Sequence, residues 1–291
     1  MNLITSMKAG MERLRWSVLF TLAFVFALPL SAAECVWKSD GTGGWGAATQ
    51  WEGGTMPSVL GDTVRITGEN VTATVTQADI ANFQLVSNVT IEAASSRLVI
   101  DTTSDVYSPA VFSGLGQLVK QGASTLNLMT PGNHYQTLLG NLGELVISNG
   151  TVQLPNRTAA MGYQDQLGLS KVSIWNPGIL SLGNSPNLSS TKGFWGDGYI
   201  TNANPGCQIY MYCYDRENPP VFSGRILPQV QLTPYYYSTT GAGVQYLTGE
   251  DTDFDLTLRI FGILGAKKIG MKGGAGSIGT GSIGFRNNYS C

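Results

Sequence analysis

The chain has 291 residues, 17 basic and 19 acidic, and charged side chains make up only 12% of it, about half the share usual in globular domains. Such a charge-poor, mildly acidic chain lacks the clustered Lys and Arg that neutralise phosphates, which argues against nucleic acid as a partner. With 43% apolar residues and 37 Gly it is not disordered by composition, and a long, Gly-punctuated all-β protein is expected.

The first 33 residues read as an export signal. Lys8, Arg13 and Arg15 give a basic start, and 17–30 is an apolar run ending in Pro29 and Leu30. Ser31, Ala32 and Ala33 supply the small residues a signal peptidase needs, so cleavage is expected after Ala33. Met11 serves equally well as the start. The run is only about 14 residues, short of the ~20 that span a bilayer. Residues 1–33 carry three basic residues and Glu12, so their removal shifts the net charge from −2 to −4.

Residues 34–62 hold Trp37, Trp45 and Trp51 among glycines. Aromatics this dense suit the cover of an apolar end, and the segment is expected to be an N-terminal cap. From residue 63 short strands are expected at 63–66, 71–76, 83–86, 89–91 and 98–100, a beat of strand and turn shared by sandwiches, barrels and solenoids.

The stretch 111–154 is the most regular. Apolar pulses at Leu115 and Leu118, Leu126 and Leu128, Leu145 and Ile147, and Val152 and Leu154 alternate with turn residues such as Gly122, Gly132, Asn149 and Gly150. A spacing of two, as in the last three pairs, puts side chains on one face of a strand, and Gly and Asn turn cheaply. Later segments echo it: Gly150–Leu154 returns as Gly178–Leu182, Val111–Gly114 as Val221–Gly224, and Lys120–Leu126 as Lys272–Ile278. Imperfect self-similarity of this kind points to stacked repeats of about 20–25 residues per coil, with 63–190 as the solenoid body and 221–291 as further rungs. Between them, 191–220 is rich in Trp and Tyr and is expected to be an insertion or elaborated loop.

The residues of 111–154 resemble the autotransporter-associated β-strand repeat, also called the passenger-associated transport repeat. The slots of that motif are held by Phe112-Ser113-Gly114, Gly116-Gln117-Leu118-Val119-Lys120-Gln121-Gly122, Ser124-Thr125-Leu126-Asn127-Leu128, Asn133-His134-Tyr135 and Asn149-Gly150-Thr151-Val152-Gln153-Leu154. The opening Trp37, Trp45, Trp51, Pro57 and Gly61-Asp62 are also similar to the start of such bacterial passengers. The resemblance implies a right-handed parallel β-helix, exported and displayed at, or released from, the cell surface. His134 stands where the family has Thr, and no C-terminal translocator barrel is expected before Cys291.

Four cysteines, Cys35, Cys207, Cys213 and Cys291, allow three pairings in an exported chain, a local Cys207–Cys213 bridge among the possibilities. A single His and the lack of a C-x-x-C pair argue against a Cys/His zinc site. Glu34 ahead of Cys35 spoils a lipoprotein cleavage site.

No catalytic set stands out. His134 is the lone histidine and sits among turn residues, and no G-x-S-x-G elbow is present. Gly274-Ala275-Gly276-Ser277-Ile278-Gly279 matches a dinucleotide loop literally, but no helix follows to meet a pyrophosphate, so it reads as a repeat echo and no nucleotide cofactor is expected. The acidic Glu250-Asp251-Thr252-Asp253-Phe254-Asp255 reads as a solvated loop rather than a calcium site. The best binding candidates are Trp195, Tyr199, Tyr210 and Tyr212, stiff aromatics with polar tips. The expected role is structural, adhesin-like or surface-interacting, toward a host or cell-surface glycan or protein. The alternative is a carbohydrate-active β-helix enzyme, a lyase or hydrolase, working from Asp197, Asp215, Arg216 and Glu217.

Overall fold

The computed structural model describes residues 31–38, 41–129, 139, 141–154, 167–169, 171–182, 187–190, 193–201, 207–211, 220–226, 230–234, 246–247, 255–258 and 284–285. The chain divides into Met1–Ala32 and Ala33–Cys291, and the second unit carries the fold. It is a β-solenoid: among the described residues the strands pair with one another in parallel, and helix is confined to single turns. None of these helices is long and apolar enough to cross a membrane.

The coils run as follows. The first holds β1 (Glu34–Trp37) and β2 (Thr42–Gly44), and the second β3 (Thr63–Ile66) and β4 (Thr72–Val75). Next come β5 (Asn88–Ile91), β6 (Arg97–Ile100) and β7 (Val106–Ser108), then β8 (Val111–Lys120) and β9 (Thr125–Leu128), then β10 (Asn141–Ile147) and β11 (Thr151–Gln153). They are followed by β12 (Leu167–Leu169), β13 (Lys171–Ile174), β14 (Ile179–Ser181), β15 (Asn187–Ser190), β16 (Phe194–Trp195) and β17 (Tyr199–Thr201). The last described strands are β18 (Cys207–Met211), β19 (Val221–Phe222), β20 (Arg225–Ile226), β21 (Val230–Pro234), β22 (Tyr246–Leu247), β23 (Asp255–Leu258) and β24 (Gly284–Phe285).

Three walls result. The first stacks β1, β3, β5 and the start of β8 and β10, and β12, the first strand of the six-stranded sheet that runs on to β24, lies against β10. The second stacks β2, β4, β6, the ends of β8 and β10, then β13 and β16, and the third stacks β7, β9, β11, β14, β17 and β20. Residues paired across neighbouring coils are from 20 apart (Arg97 and Gln117) to 30 apart (Thr42 and Thr72), a wider range than the 20–25 expected. The corners absorb the difference.

Alternate residues of each strand point inward and form ladders through the stack. On the second wall Ala73, Leu98, Leu118, Leu145, Val172 and Phe194 follow one another, all buried. On the third wall Val106, Leu126, Val152, Leu180, Ile200 and Ile226 do the same. Each aliphatic side chain taken fully from water contributes about 2 kcal/mol, so the ladders hold the coils together while backbone pairing sets their spacing.

Some expectations need correction. Residues 83–86 do not form a strand; Ile80–Phe83 is one helical turn after a 3-10 turn at Gln77–Asp79. The cause is local: the Asp79 carboxylate accepts from the Thr76 backbone N–H (2.8 Å) and hydroxyl (2.7 Å), a capping pair that commits the chain to helix. Leu115 is 68% exposed although Leu118 is buried, because the two are three residues apart and fall on opposite faces of β8. The echo of Val111–Gly114 in Val221–Gly224 is not structural either: Val111 pairs with Asn88 on the first wall, whereas Phe222 bridges to Gly196 on the second. Gly150–Leu154 and Gly178–Leu182 are true equivalents, with Thr151 on Ile179 and Val152 on Leu180.

The three tryptophans of 34–62 are all fully buried. Trp51 meets Trp37 edge-on at 5.0 Å and Trp45 at 4.9 Å, donates its indole N–H to Trp45 O (2.8 Å), and Trp45 meets Phe83 at 5.4 Å. This aromatic set packs the core of the first coil.

Candidate functional site

The expected insertion at 191–220 is regular coil over much of its described length. Phe194–Trp195 pairs with Val172 and Ser173, Tyr199–Thr201 with Ile179–Ser181, and Cys207–Met211 lies between β15 and β21. Of the aromatics that suggested a loop, Trp195, Tyr199 and Tyr210 are rung residues, and the three glycines around Trp195 allow the close turns between rungs. Gly198, for instance, lies where a Cβ would approach the Gly178 carbonyl to 2.6 Å.

The binding candidates therefore part company. Trp195 is on the second wall, Tyr199 on the third across the corner 196–198, and Tyr210 on β18 between Ser189 and Thr233. Tyr212 lies outside the described residues. So do His134, Asp215, Arg216, Glu217, 250–254 and Gly274–Gly279; Asp255 opens β23. Asp197 is exposed and accepts the Asn176 backbone N–H at 2.8 Å. Among the described residues no three His, Cys, Asp or Glu converge as metal ligands.

Register brings different partners to Trp195. Gln117, Glu144 and Lys171 succeed one another on the outer face of the second wall. Gln117 Nε2 donates to Glu144 Oε2 at 2.8 Å, and Lys171 Nζ pairs with Glu144 Oε1 at 3.0 Å. The Ser173 hydroxyl donates to the same oxygen at 2.5 Å. The Glu144 side chain is only 14% exposed and is held by all three partners. Lys171 Nζ lies 5.3 Å from the ring centre of Trp195, whose strand position is next to Ser173. A cation so placed over an indole is worth about 0.5–1 kcal/mol at an exposed site.

Trp175 lies further along the same outer side. Val172 and Ile174 point inward, so Lys171, Ser173 and Trp175 share the outer side of one strand line. The Trp175 amide continues the ladder by donating to Ile147 O at 2.8 Å, and its side chain is 48% exposed. Sequence reasoning missed it, although alternation through 171–175 places Trp175 on the same side as Lys171 and Ser173. The arrangement offers two indoles, one ammonium and a carboxylate on a flat wall: a surface for contact rather than a set that could transfer a proton or attack a bond.

The chain matches no protein-family model, and no curated protein or solved structure resembles it closely enough to be counted a match.

Proposed function

We propose that this chain is an exported bacterial β-solenoid of the autotransporter passenger type, with a structural, adhesin-like or surface-interaction role. The observation that carries the reading is the outward set of Trp175, Trp195 and Lys171, with Lys171 fixed by Glu144 and Glu144 by the buried Ser173, on a wall whose other side is committed to the core. The leader-like residues 1–33 and the repeat slots of 111–154 support the export part.

The experiment has two arms. The full chain expressed in a Gram-negative bacterium is expected in the outer membrane fraction, on the surface or in the medium; retention in the cytosol overturns the export reading. Purified protein is expected to adhere to host or bacterial cell surfaces, and the Trp175→Ala, Trp195→Ala double variant to lose most of that adhesion while melting cooperatively. Equal adhesion by the double variant removes that set from the reading. The enzyme alternative is decided by screening against pectin, alginate and glycosaminoglycans, with Asp215→Ala and Glu217→Ala as controls.

A further inference from the structure

We propose that the export protease cuts between Ala32 and Ala33, one bond earlier than the small-residue pattern suggests, and that the new α-ammonium of Ala33 pairs with the buried carboxylate of Asp62. The proposal rests on the export reading above and assigns the mature end of the chain.

Asp62 stands at the corner before β3 and is 2% exposed. Its Oδ2 accepts the backbone N–H of Ser58 at 2.8 Å and of Val59 at 2.9 Å, and its Oδ1 accepts the N–H of Ala33 at 2.8 Å. Burial alone would raise this carboxyl; the three N–H groups outweigh it and hold the group ionised, below its ordinary range. All three partners are neutral backbone donors, so a buried negative charge is held without a cation among its hydrogen-bond partners. Ala33 contributes a second bond, since its carbonyl accepts the Thr63 N–H at 2.9 Å at the head of the β1–β3 pairing.

The two neighbouring cuts have opposite consequences. Cleavage after Ala33 removes both bonds, leaving Oδ1 of a buried carboxylate and the Thr63 amide without these partners. Cleavage after Ala32 keeps both and adds a charge. Water adds across the Ala32–Ala33 amide; Ala32 leaves with the new carboxylate, and Ala33 keeps the nitrogen, which takes a proton at neutral pH because an α-amine titrates near 8. The donor already aimed at Oδ1 becomes an ammonium, and charge-assisted hydrogen bonds are roughly twice as strong as neutral ones. Ala32 and Ala33 are both exposed, so the bond is open to a protease, and Ala32 supplies the small residue directly before the cut, with Leu30 two places further back.

The full chain with its own leader is expressed in a bacterium, and the exported fraction is sequenced from its N-terminus and weighed intact. A chain beginning Ala33-Glu34-Cys35 is expected. A chain beginning at Glu34 overturns the proposal and leaves the export reading standing, whereas a cytosolic chain retaining the leader overturns both. A second measurement reads the ion pair itself. At pH 7 the α-amine of the exported chain is expected to react with an acylating reagent several-fold more slowly than that of Asp62→Asn, because the carboxylate holds it protonated; equal rates overturn the pairing. If Asp62→Asn is not exported, the same comparison is made between folded and urea-unfolded wild-type chain, where folding is expected to slow the α-amine and equal rates again count against the pairing.

Discussion

The ammonium of Lys120 donates to the carbonyl of Gly122 from inside the core. Its strand neighbours in the inward ladder are Ile100 and Ile147, so a lysine fills a place otherwise given to isoleucine. Glycine makes room for it: a Cβ on Gly150, at φ +69°, would lie 2.9 Å from Lys120 Nζ and would also strike the Gly122 carbonyl.

Burial lowers Lys120 to about 8, against the pull of Asp101 and Asp105 in the other direction. The unfolded chain, with an ordinary lysine near 10.5, binds the proton more tightly, so stability must rise with pH through the window between the two values. Below pH 8 the penalty is present in full, on the order of 3 kcal/mol. The melting temperature is expected to climb between pH 7 and pH 10, and Lys120→Met to raise it at pH 7 and flatten the climb. An unchanged slope in Lys120→Met would sink this account.

Gly150→Ala tests the corner. Both the left-handed backbone and the contact with the coil before it oppose a side chain, and a loss of about 2–4 kcal/mol is expected in urea titrations. Gly53 has a similar φ, +65°, with no atom within 4 Å of a Cβ, so Gly53→Ala isolates the backbone part and should cost about 1 kcal/mol. Equal losses would mean that the close approach carries no weight.

In the first coil, Trp51→Ala deletes the ring that meets both Trp37 and Trp45 and the donor to Trp45 O. A cost of about 3–5 kcal/mol is expected. Hydrogen exchange should quicken first at residues 34–75 and leave 141–153 protected; uniform loss of protection would argue against a local effect.

Cys35 is a buried free thiol, raised by burial and by the charge of Asp62. The strands β1, β3, β5, β8 and β10 already separate it from β10 by four spacings, about 19 Å. Cys207 lies on β18, three strands further along the first wall, whereas bridged Cα atoms sit within about 7 Å. Iodoacetamide is expected to label Cys35 only after unfolding, and peptide mapping to find no Cys35–Cys207 link. Rapid native labelling of Cys35 would contradict its burial.

Much of this architecture is legible in the residues. Alternation in 63–66 and 125–128 marks which side chains enter the core, and Gly150 and Gly178 mark a corner because no other residue fits against the coil before it. The match of Gly150–Leu154 with Gly178–Leu182 is even a true register. Where reading failed, an identical short string served two walls, as with Val111–Gly114 and Val221–Gly224, or a capping pair at Thr76 and Asp79 overrode an apolar pattern.

What the amino-acid order determined by itself is local: strand, turn, and inward or outward. Which outward residues meet was decided only by the stack. Coil lengths vary from 20 to 30 residues because corners take up the slack, so no fixed repeat length predicts that Lys171 reaches over Trp195 while Tyr199 faces another wall. Backbone pairing between coils sets that register, and each contact depends on hydrogen bonds made by residues far from it in the chain.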